Sequence, residues 1–296
     1  MTATTAAHLE PSVRHDIVLL FDVTDGNPNG DPDAGNRPRM DDESGHGLVT
    51  DVAIKRKIRD TLALAGDGDP RYGIFVEAGY ALNPRLEASY AASGLKLGTK
   101  ITPEQAEQAR AWLCDRYVDI RLFGAVMSVG KTNALGQVRG PVQVTMARTI
   151  DPVLPMDHAI TRVTQTRQED IDKGERTEMG GKWTVPYGLY RAEIYYSATR
   201  AKQTGVTDRD LELLYRSIEM MFDHDRTATR GSMSIRGLHV FSHKDAFGSA
   251  PAHRLTERIK PALIDDGRVP RAFSDYVVAT DVDGLSGGVS YTAVVS

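Results

Sequence analysis

Residues 25 to 60 read DGNPNGDPDAGNRPRMDDESGHGLVTDVAIKRKIRD, a run of oxygen donors followed by a run of cations. Asp25, Asn27, Asn29, Gly30, Asp31 and Asp33 fall at positions 1, 3, 5, 6, 7 and 9 of a calcium-loop template. The template then fails: position 12 is Asn36 where a bidentate Glu is needed, prolines stand at 28 and 32, and a strand pattern precedes the loop. A looser carboxylate metal site is the chemistry left to these acids. In the cationic run, Lys55 and Arg59 are four apart on one helical face and Arg56 lies three before Arg59, with Ile54 and Ile58 turned to the core. Cations with no acid between them repel unless an anion sits among them. The face is therefore either an anion site or simply solvated. Arg37 and Arg39 in NRPR, and Arg139 in VRGP, join it if their loops fold back.

Other clusters carry less. GAVMSVGKT spaces Gly124 and Gly130 by five residues where a nucleotide-binding P-loop needs four. Lys131 in that Gly-rich segment either holds a phosphate or decorates a plain surface loop. His239 and His243 sit where a strand runs into a loop, and Asp223, His224 and Asp225 close a helix, so these are expected at the surface rather than as ligands. Cys114 is the only cysteine, which excludes an internal disulfide and a cysteine-based zinc cluster and fits a reducing cytoplasm. The net charge of −4 gives no global field toward nucleic acid or membrane, so any such surface is local. No segment is long and apolar enough to span a bilayer, and residues 1–14, which lack signal-peptide character, are expected to form a frayed tail.

Several elements must position these groups. Residues 15–23 alternate Ile17, Leu19, Phe21 and Val23 against Asp16 and Asp22, a strand. Residues 50–64 form a helix capped by Thr50, with Ile54, Ile58 and Leu62 in a stripe. TPEQ opens a second helix with Thr102, Pro103 and Gln105 as a capping box, running to about residue 117. Val142, Val144 and Met146 alternate in a further strand, as do Tyr190, Ala192, Ile194 and Tyr196. A helix over 207–222 aligns Leu211, Leu214, Ile218 and Met221, residues 232–241 read as a strand, and the last residues can add an edge strand. Without the insertions the order is strand, helix, strand, strand, helix, strand, the ferredoxin-like order, which many functions share.

NPNGDPDAGNRPR with GLVTDVAIKRKIRD, and RLFGAV with GQVRGPVQV, resemble the backbone subunit of type I CRISPR surveillance complexes (Cascade), the Cas-seven family, most closely its subtype I-C branch. The resemblance covers almost the whole chain. It implies an α+β, modified ferredoxin-like or RNA-recognition-type fold shaped like a hand over 15–296. The palm would comprise about 15–64, 140–150 and 187–296, the fingers about 65–139, and the thumb the long loop of about 151–186. It further implies a non-catalytic subunit whose copies polymerise along a crRNA guide, with target DNA, other Cascade subunits and a recruited helicase-nuclease as partners, and with no cofactor, metal or membrane. KRKIR matches the family's basic helix, implicating Lys55, Arg56 and Arg59 in guide-phosphate contacts. NRPR and GQVRGP implicate Arg37, Arg39, Gln137 and Arg139. In the thumb no residue-level match exists; Arg162, Arg167, Lys182 and Trp183 are candidates on their chemistry alone. A subunit that accepts any guide should grip sugar and phosphate and leave base edges free, and SMSIRGLHVF lacks the aromatic signature of a base-reading module. The rival is a metal-dependent RNA-cleaving backbone subunit, as in type III relatives, using Asp25, Asp31 and Asp33 to hold Mg²⁺ and activate water. Under the guide-binding alternative, those acids point away from phosphate, cap N–H groups, or pair with Arg37 and Arg39.

Overall fold

The structure is a computed structural model that describes residues 6–96, 101–127 and 135–296. Strand β1 (His15–Gly26) leads into a loop with the two-residue strands β2 (Gly30–Asp31) and β3 (Arg37–Pro38), then β4 (Leu48–Val49) and helix α1 (Asp51–Ala65). Next come α2 (Leu82–Ala92), α3 (Pro103–Arg116), α4 (Val118–Phe123) and the hairpin of β5 (Gly124–Met127) and β6 (Gly136–Arg139). Strands β7 (Val142–Val144), β8 (Ala147–Thr149) and β9 (Met156–Arg162) precede the short helix α5 (Gln168–Asp172) and the 19-residue β10 (Glu178–Tyr196). The rest is α6 (Ala198–Thr204), α7 (Asp208–Met220), β11 (Ser232–His243), α8 (Ala252–Thr256), β12 (Ile259–Leu263), β13 (Tyr276–Thr280) and β14 (Val289–Val295).

The main sheet is antiparallel, with order β14-β11-β1-β10-β8-β4 and β7 also on β10. Central β1 is buried on both faces, which is why its sequence is a nearly continuous apolar run. Ile17, Leu19, Phe21 and Val23 join one core with Ile54, Ile58 and Leu62 of α1 and Leu211, Leu214, Ile218 and Met221 of α7. Val18 and Leu20 face the other way, against Phe241, Leu255 and Ile259. Thr50 caps α1, accepting from the Ala53 N–H at 3.2 Å, and the Thr102–Gln105 capping box opens α3.

The strand expected through Val142, Val144 and Met146 is broken. From Val144 to Arg148 the chain advances four residues while its partner, from Ile194 to Arg191, advances three. That extra residue is a bulge, and it turns Met146 out to solvent while Ala147 packs in the core. Residues 151–186, expected as a long loop, contain structure. The first half of β10 pairs with β9 in a hairpin whose β9 side is exposed throughout. The frayed tail is tied down from Ala7: Leu9 packs on the core, and the Tyr196 hydroxyl donates to the Pro11 carbonyl at 2.9 Å.

The segment between α1 and β7 has an apolar cluster of its own, including Phe75, Leu86, Tyr90, Leu113 and Ile120. Cys114 lies in it, and burial pushes its thiol pKa up to about 11, so it is inert. Arg121 clamps this segment to α7. Its Nη2 and Nε donate to the two carboxylate oxygens of Asp210 at 2.7 and 3.1 Å, and both side chains are fully buried. Nη1 also donates to the Cys114 carbonyl at 2.6 Å, and Asp210 accepts from the Thr207 N–H at 2.8 Å as part of the α7 cap.

His239 and His243, expected at the surface, are buried. His243 Nε2 lies 2.9 Å from an Asp16 oxygen, and its Nδ1 accepts from the Ser249 N–H at 2.8 Å. His15 is also buried, 2.9 Å through Nε2 from the Glu10 carbonyl and 3.0 Å through Nδ1 from the Ser242 hydroxyl. This pair of partners suits the neutral ring protonated on Nε2. Burial pushes the pKa of His15 and of His239 down to about 4.

Removing one partner of the Arg121–Asp210 pair strands the other charge in the interior, so Asp210→Ala should lower the unfolding free energy by about 3–5 kcal/mol in urea titrations. The histidines set a pH dependence. Below the ordinary pKa of about 6.5 the unfolded chain takes up protons that the folded chain refuses until about pH 4. Stability present above pH 6.5 is therefore lost as pH falls toward 4, on the order of 3 kcal/mol per imidazole. The urea midpoint should drop between pH 7 and 4.5, and His15→Gln should flatten that slope.

Candidate nucleic-acid interface

The Asn/Gly/Pro loop is built by backbone contact. A Cβ at Gly26 would collide with the Arg230 carbonyl, and Gly231, at φ +62°, sits against the carbonyls of Thr24 and Asp25. Only glycine permits this approach. The Asn27 N–H then donates to the Thr229 carbonyl at 2.9 Å, joining the loop to the turn after α7. Its buried side-chain amide donates to the Asn36 carbonyl at 2.7 Å, and Asn29 Oδ1 accepts from the Thr50 N–H at 3.0 Å. The asparagines are therefore staples that hold the loop against the start of α1.

Asp31 of this loop is engaged within the loop itself. Asp31 pairs with Arg39 at 3.1 Å through one oxygen and caps the Asp33 N–H at 3.1 Å through the other. Arg37 instead places its guanidinium 5.7 Å from the centre of the Trp183 ring. Among the described residues no group of three or more His, Cys, Asp or Glu side chains could hold a metal ion.

Helix α1 corrects the expectation of cations without acids. Lys55 pairs with Asp51 at 3.0 Å. Arg59 pairs with Asp119 at 3.1 Å, and its guanidinium lies 5.2 Å from the Phe123 ring centre. Asp119 is buried and also accepts the N–H groups of Phe75 at 2.7 Å and Val76 at 3.0 Å. Arg59 is thus a structural tie between α1 and the inserted segment. Lys57, which the helical pattern did not single out, is buried and bonded to Asp225; burial pushes its pKa down while Asp225 opposes the shift. Arg230 Nε approaches the same carboxylate to 2.8 Å at an angle too poor for a hydrogen bond. Arg56 is the exposed cation of the group, 67% accessible, with Asp60 at a loose 3.7 Å.

These parts enclose a cleft of about 650 Å³. The loop from Asn27 to Asn36 forms one wall, α1 from Thr50 to Asp60 the second, and the 225–230 turn the third. Arg56, Lys57 and Arg230 line it beside Asn and Thr residues, Val52 and the carboxylates Asp60 and Asp225, and its wall holds no aromatic residue. A smaller recess of about 250 Å³ adjoins it through Asn36 and Thr229 and is closed by Lys182 and Trp183 at the root of the β9–β10 hairpin. Lys182 Nζ donates to the Ala228 carbonyl there at 2.7 Å. Arg56, Lys182 and Trp183 thereby line adjoining recesses and Arg37 lies over Trp183, while Lys55 and Arg39 line neither.

The other candidates lie elsewhere. Gln137 and Arg139 are exposed on β6 and line a separate recess. Arg162 is engaged by Glu178 and by the Thr166 hydroxyl at 2.6 Å, and Arg167 is exposed at the cap of α5. Lys131 lies outside the described residues. Lys57, Asp225 and Arg230 are cleft residues that pattern analysis missed, because their meeting depends on α1 lying against the turn after α7.

A family model described as CRISPR-associated protein Cas7 matches residues 13–281. The chain belongs to this family. A CRISPR-associated protein Cas7 of Haloferax volcanii is 26% identical over 222 residues, 68% of this chain. The match spans 62% of that relative, under two thirds of its length. Among solved structures, a chain of a CRISPR RNA-guided surveillance complex, pre-nicking, is 16% identical with a TM-score of 0.49, covering 77% of this chain and 78% of that one. A chain of the Type III-B Cmr-beta bound to cognate target RNA is 13% identical with a TM-score of 0.40, covering 77% and 61%.

Because Arg59 ties α1 to the segment around Phe75, Arg59→Ala should cost about 1–3 kcal/mol of stability in urea unfolding. Arg56→Ala, at an exposed position, should stay within about 0.5 kcal/mol of the parent protein.

Proposed function

We propose that the chain is a non-catalytic guide-RNA-binding backbone subunit of a type I CRISPR surveillance complex, of the subtype I-C kind. The observation that carries this is the cleft between the Asn/Gly/Pro loop, α1 and the 225–230 turn, lined by three cations, amides and hydroxyls, free of aromatics, with its two carboxylates, Asp60 and Asp225, at ion-pair distance from those cations. Such a lining suits sugar and phosphate and ignores base identity, which is what a subunit serving any guide sequence requires. Family membership over residues 13–281 supports the same conclusion.

The hand division is part of this proposal. A ferredoxin-like palm at about 15–64, 140–150 and 187–296 is supported by the order β11-β1-β10-β8, with α1 between β1 and the β7/β8 pair and α7 between β10 and β11. Fingers at about 65–139 are supported by the separate apolar cluster, and a thumb at about 151–186 by the exposed β9–β10 hairpin. Copies of the chain polymerise along the crRNA in the cytoplasm, each presenting spacer for pairing with target DNA in antiviral defence. Other Cascade subunits and a helicase-nuclease complete the machinery. The loop acids serve structure: Asp31 is engaged with Arg39 and the Asp33 N–H, which speaks against its use in RNA cleavage.

Within the cleft, Arg56 makes the phosphate contact, while Lys57 and Arg230 shape its wall through Asp225. Arg37 and Trp183 connect the loop to the thumb root. Binding of the protein to single-stranded RNA over a salt series tests this. Arg56→Ala should weaken binding equally for unrelated RNA sequences and lower the log-log salt slope by about 0.7. An unchanged slope removes α1 from the RNA path, and an effect confined to one sequence argues for base reading.

A further inference from the structure

Outside the α1 cleft, the β5–β6 hairpin carries the clearest unneutralised charge. A recess of about 370 Å³ there is lined by Arg139, Arg200, Gln137, Gln143 and the backbone at Gly124 and Gly140, with no acidic side chain in its wall. Among the described residues neither guanidinium has a hydrogen-bond or ion-pair partner. The contrast with α1 is direct, since Lys55, Arg56, Lys57 and Arg59 each stand within ion-pair distance of a carboxylate. At two places the wall is main chain, since Gly124 has φ +77° and a Cβ there or at Gly140 would collide with neighbouring backbone; Phe123, Ala125, Val126 and Val138 complete the lining. Two guanidinium groups without a carboxylate among the described residues, in a recess whose wall holds no acid, form a site for an anion such as a phosphodiester.

The recess opens, through Arg200 and Gln143, into a second cleft of about 530 Å³. Tyr195 and Phe247 line that cleft. Phe247 is 92% exposed, yet its turn is pinned. Asp245 Oδ1 accepts from the Phe247 N–H at 3.0 Å and the Gly248 N–H at 2.9 Å, and the Arg14 N–H donates to the Asp245 carbonyl at 3.2 Å. A phenyl ring held out on an ordered turn gains nothing from the fold of the chain itself. Next to unpaired arginines it is a stacking platform, the combination that tracks single-stranded nucleic acid.

We propose that this surface is a second single-stranded nucleic-acid subsite, in which Arg139 and Arg200 hold phosphate and Phe247 stacks beneath a base. The proposal rests on the chain being a nucleic-acid-binding subunit and adds Arg200 and Phe247 to its contacts. It also gives the protein a stacking contact at a distance from the aromatic-free cleft.

The test is anisotropy of labelled RNA and DNA of about 12 nucleotides over a salt series. The proteins compared are the parent chain, Arg139→Ala/Arg200→Ala, Arg139→Gln/Arg200→Gln, Phe247→Ala and Arg56→Ala, each checked for an unchanged melting temperature. Either arginine double variant should lower the log-log slope by about 1.4. Phe247→Ala should weaken binding about 5- to 150-fold with the slope unchanged. The RNA and DNA arms identify which strand the subsite holds. Parent-like binding by both double variants and by Phe247→Ala, with Arg56→Ala weakened, overturns the second subsite and leaves the α1 cleft standing. Loss of self-association by Phe247→Ala in sedimentation, with nucleic-acid affinity unchanged, makes the surface a protein-docking site and also overturns the proposal. Absence of any binding by the parent chain removes the functional proposal and this one together.

Discussion

The Arg121–Asp210 pair is the constraint on which the arrangement of the molecule turns. A charged pair with no solvent exposure is tolerable only if nearly every donor and acceptor is used, and here it is. The guanidinium spends its remaining donors on carbonyls of α3 and of the residues before it, and the carboxylate also caps α7. One ion pair thereby joins two apolar clusters that share no residue, the one around β1 and the one around Leu113. Two bodies held mainly by apolar contact could slide; this pair gives their junction a defined position. Arg59 and Asp119 make a second tie in the same junction, so α1 is oriented by the inserted segment as well as by the sheet.

That orientation explains how a helix with four cations and two acids becomes selective in what it exposes. The carboxylates that meet α1 come from three places: Asp51 and Asp60 from the helix itself, Asp119 from α4, Asp225 from the turn after α7. The partly buried cations Lys55, Lys57 and Arg59 are neutralised and serve the fold. Arg56, with the weakest partner and the greatest exposure, is the least neutralised of the four. The cleft floor is set just as indirectly, by glycines at 26 and 231 that bring two backbones into contact and by asparagines that bond main chain.

Much of this was legible before any coordinates. The strands at 15 and 232, the three long helices and the caps of the first two follow from period and capping chemistry, because each is decided by residues within one or two turns of one another. The alternation at Val142, Val144 and Met146 misled, because a bulge requires the partner strand to be known. His239 and His243 misled for the same reason: nothing near them in sequence announces Asp16 or Tyr291 as partners. The pairing of Asp31 with Arg39 was foreseeable, since the two lie in one short loop, while the contact of Arg37 with Trp183 spans the chain.

The sequence by itself determined the long central strands, the long helices, the family and the stretch of loop and helix where oxygen donors and cations are concentrated. These are local or compositional properties, carried by periodicity, caps and an unusual run of residue types. Only the tertiary structure decided which cations are free. Whether a lysine or arginine can bind a phosphate depends on whether a carboxylate reaches it first, and for Lys57, Arg59, Arg139 and Arg200 that carboxylate, or its absence, comes from segments remote along the chain.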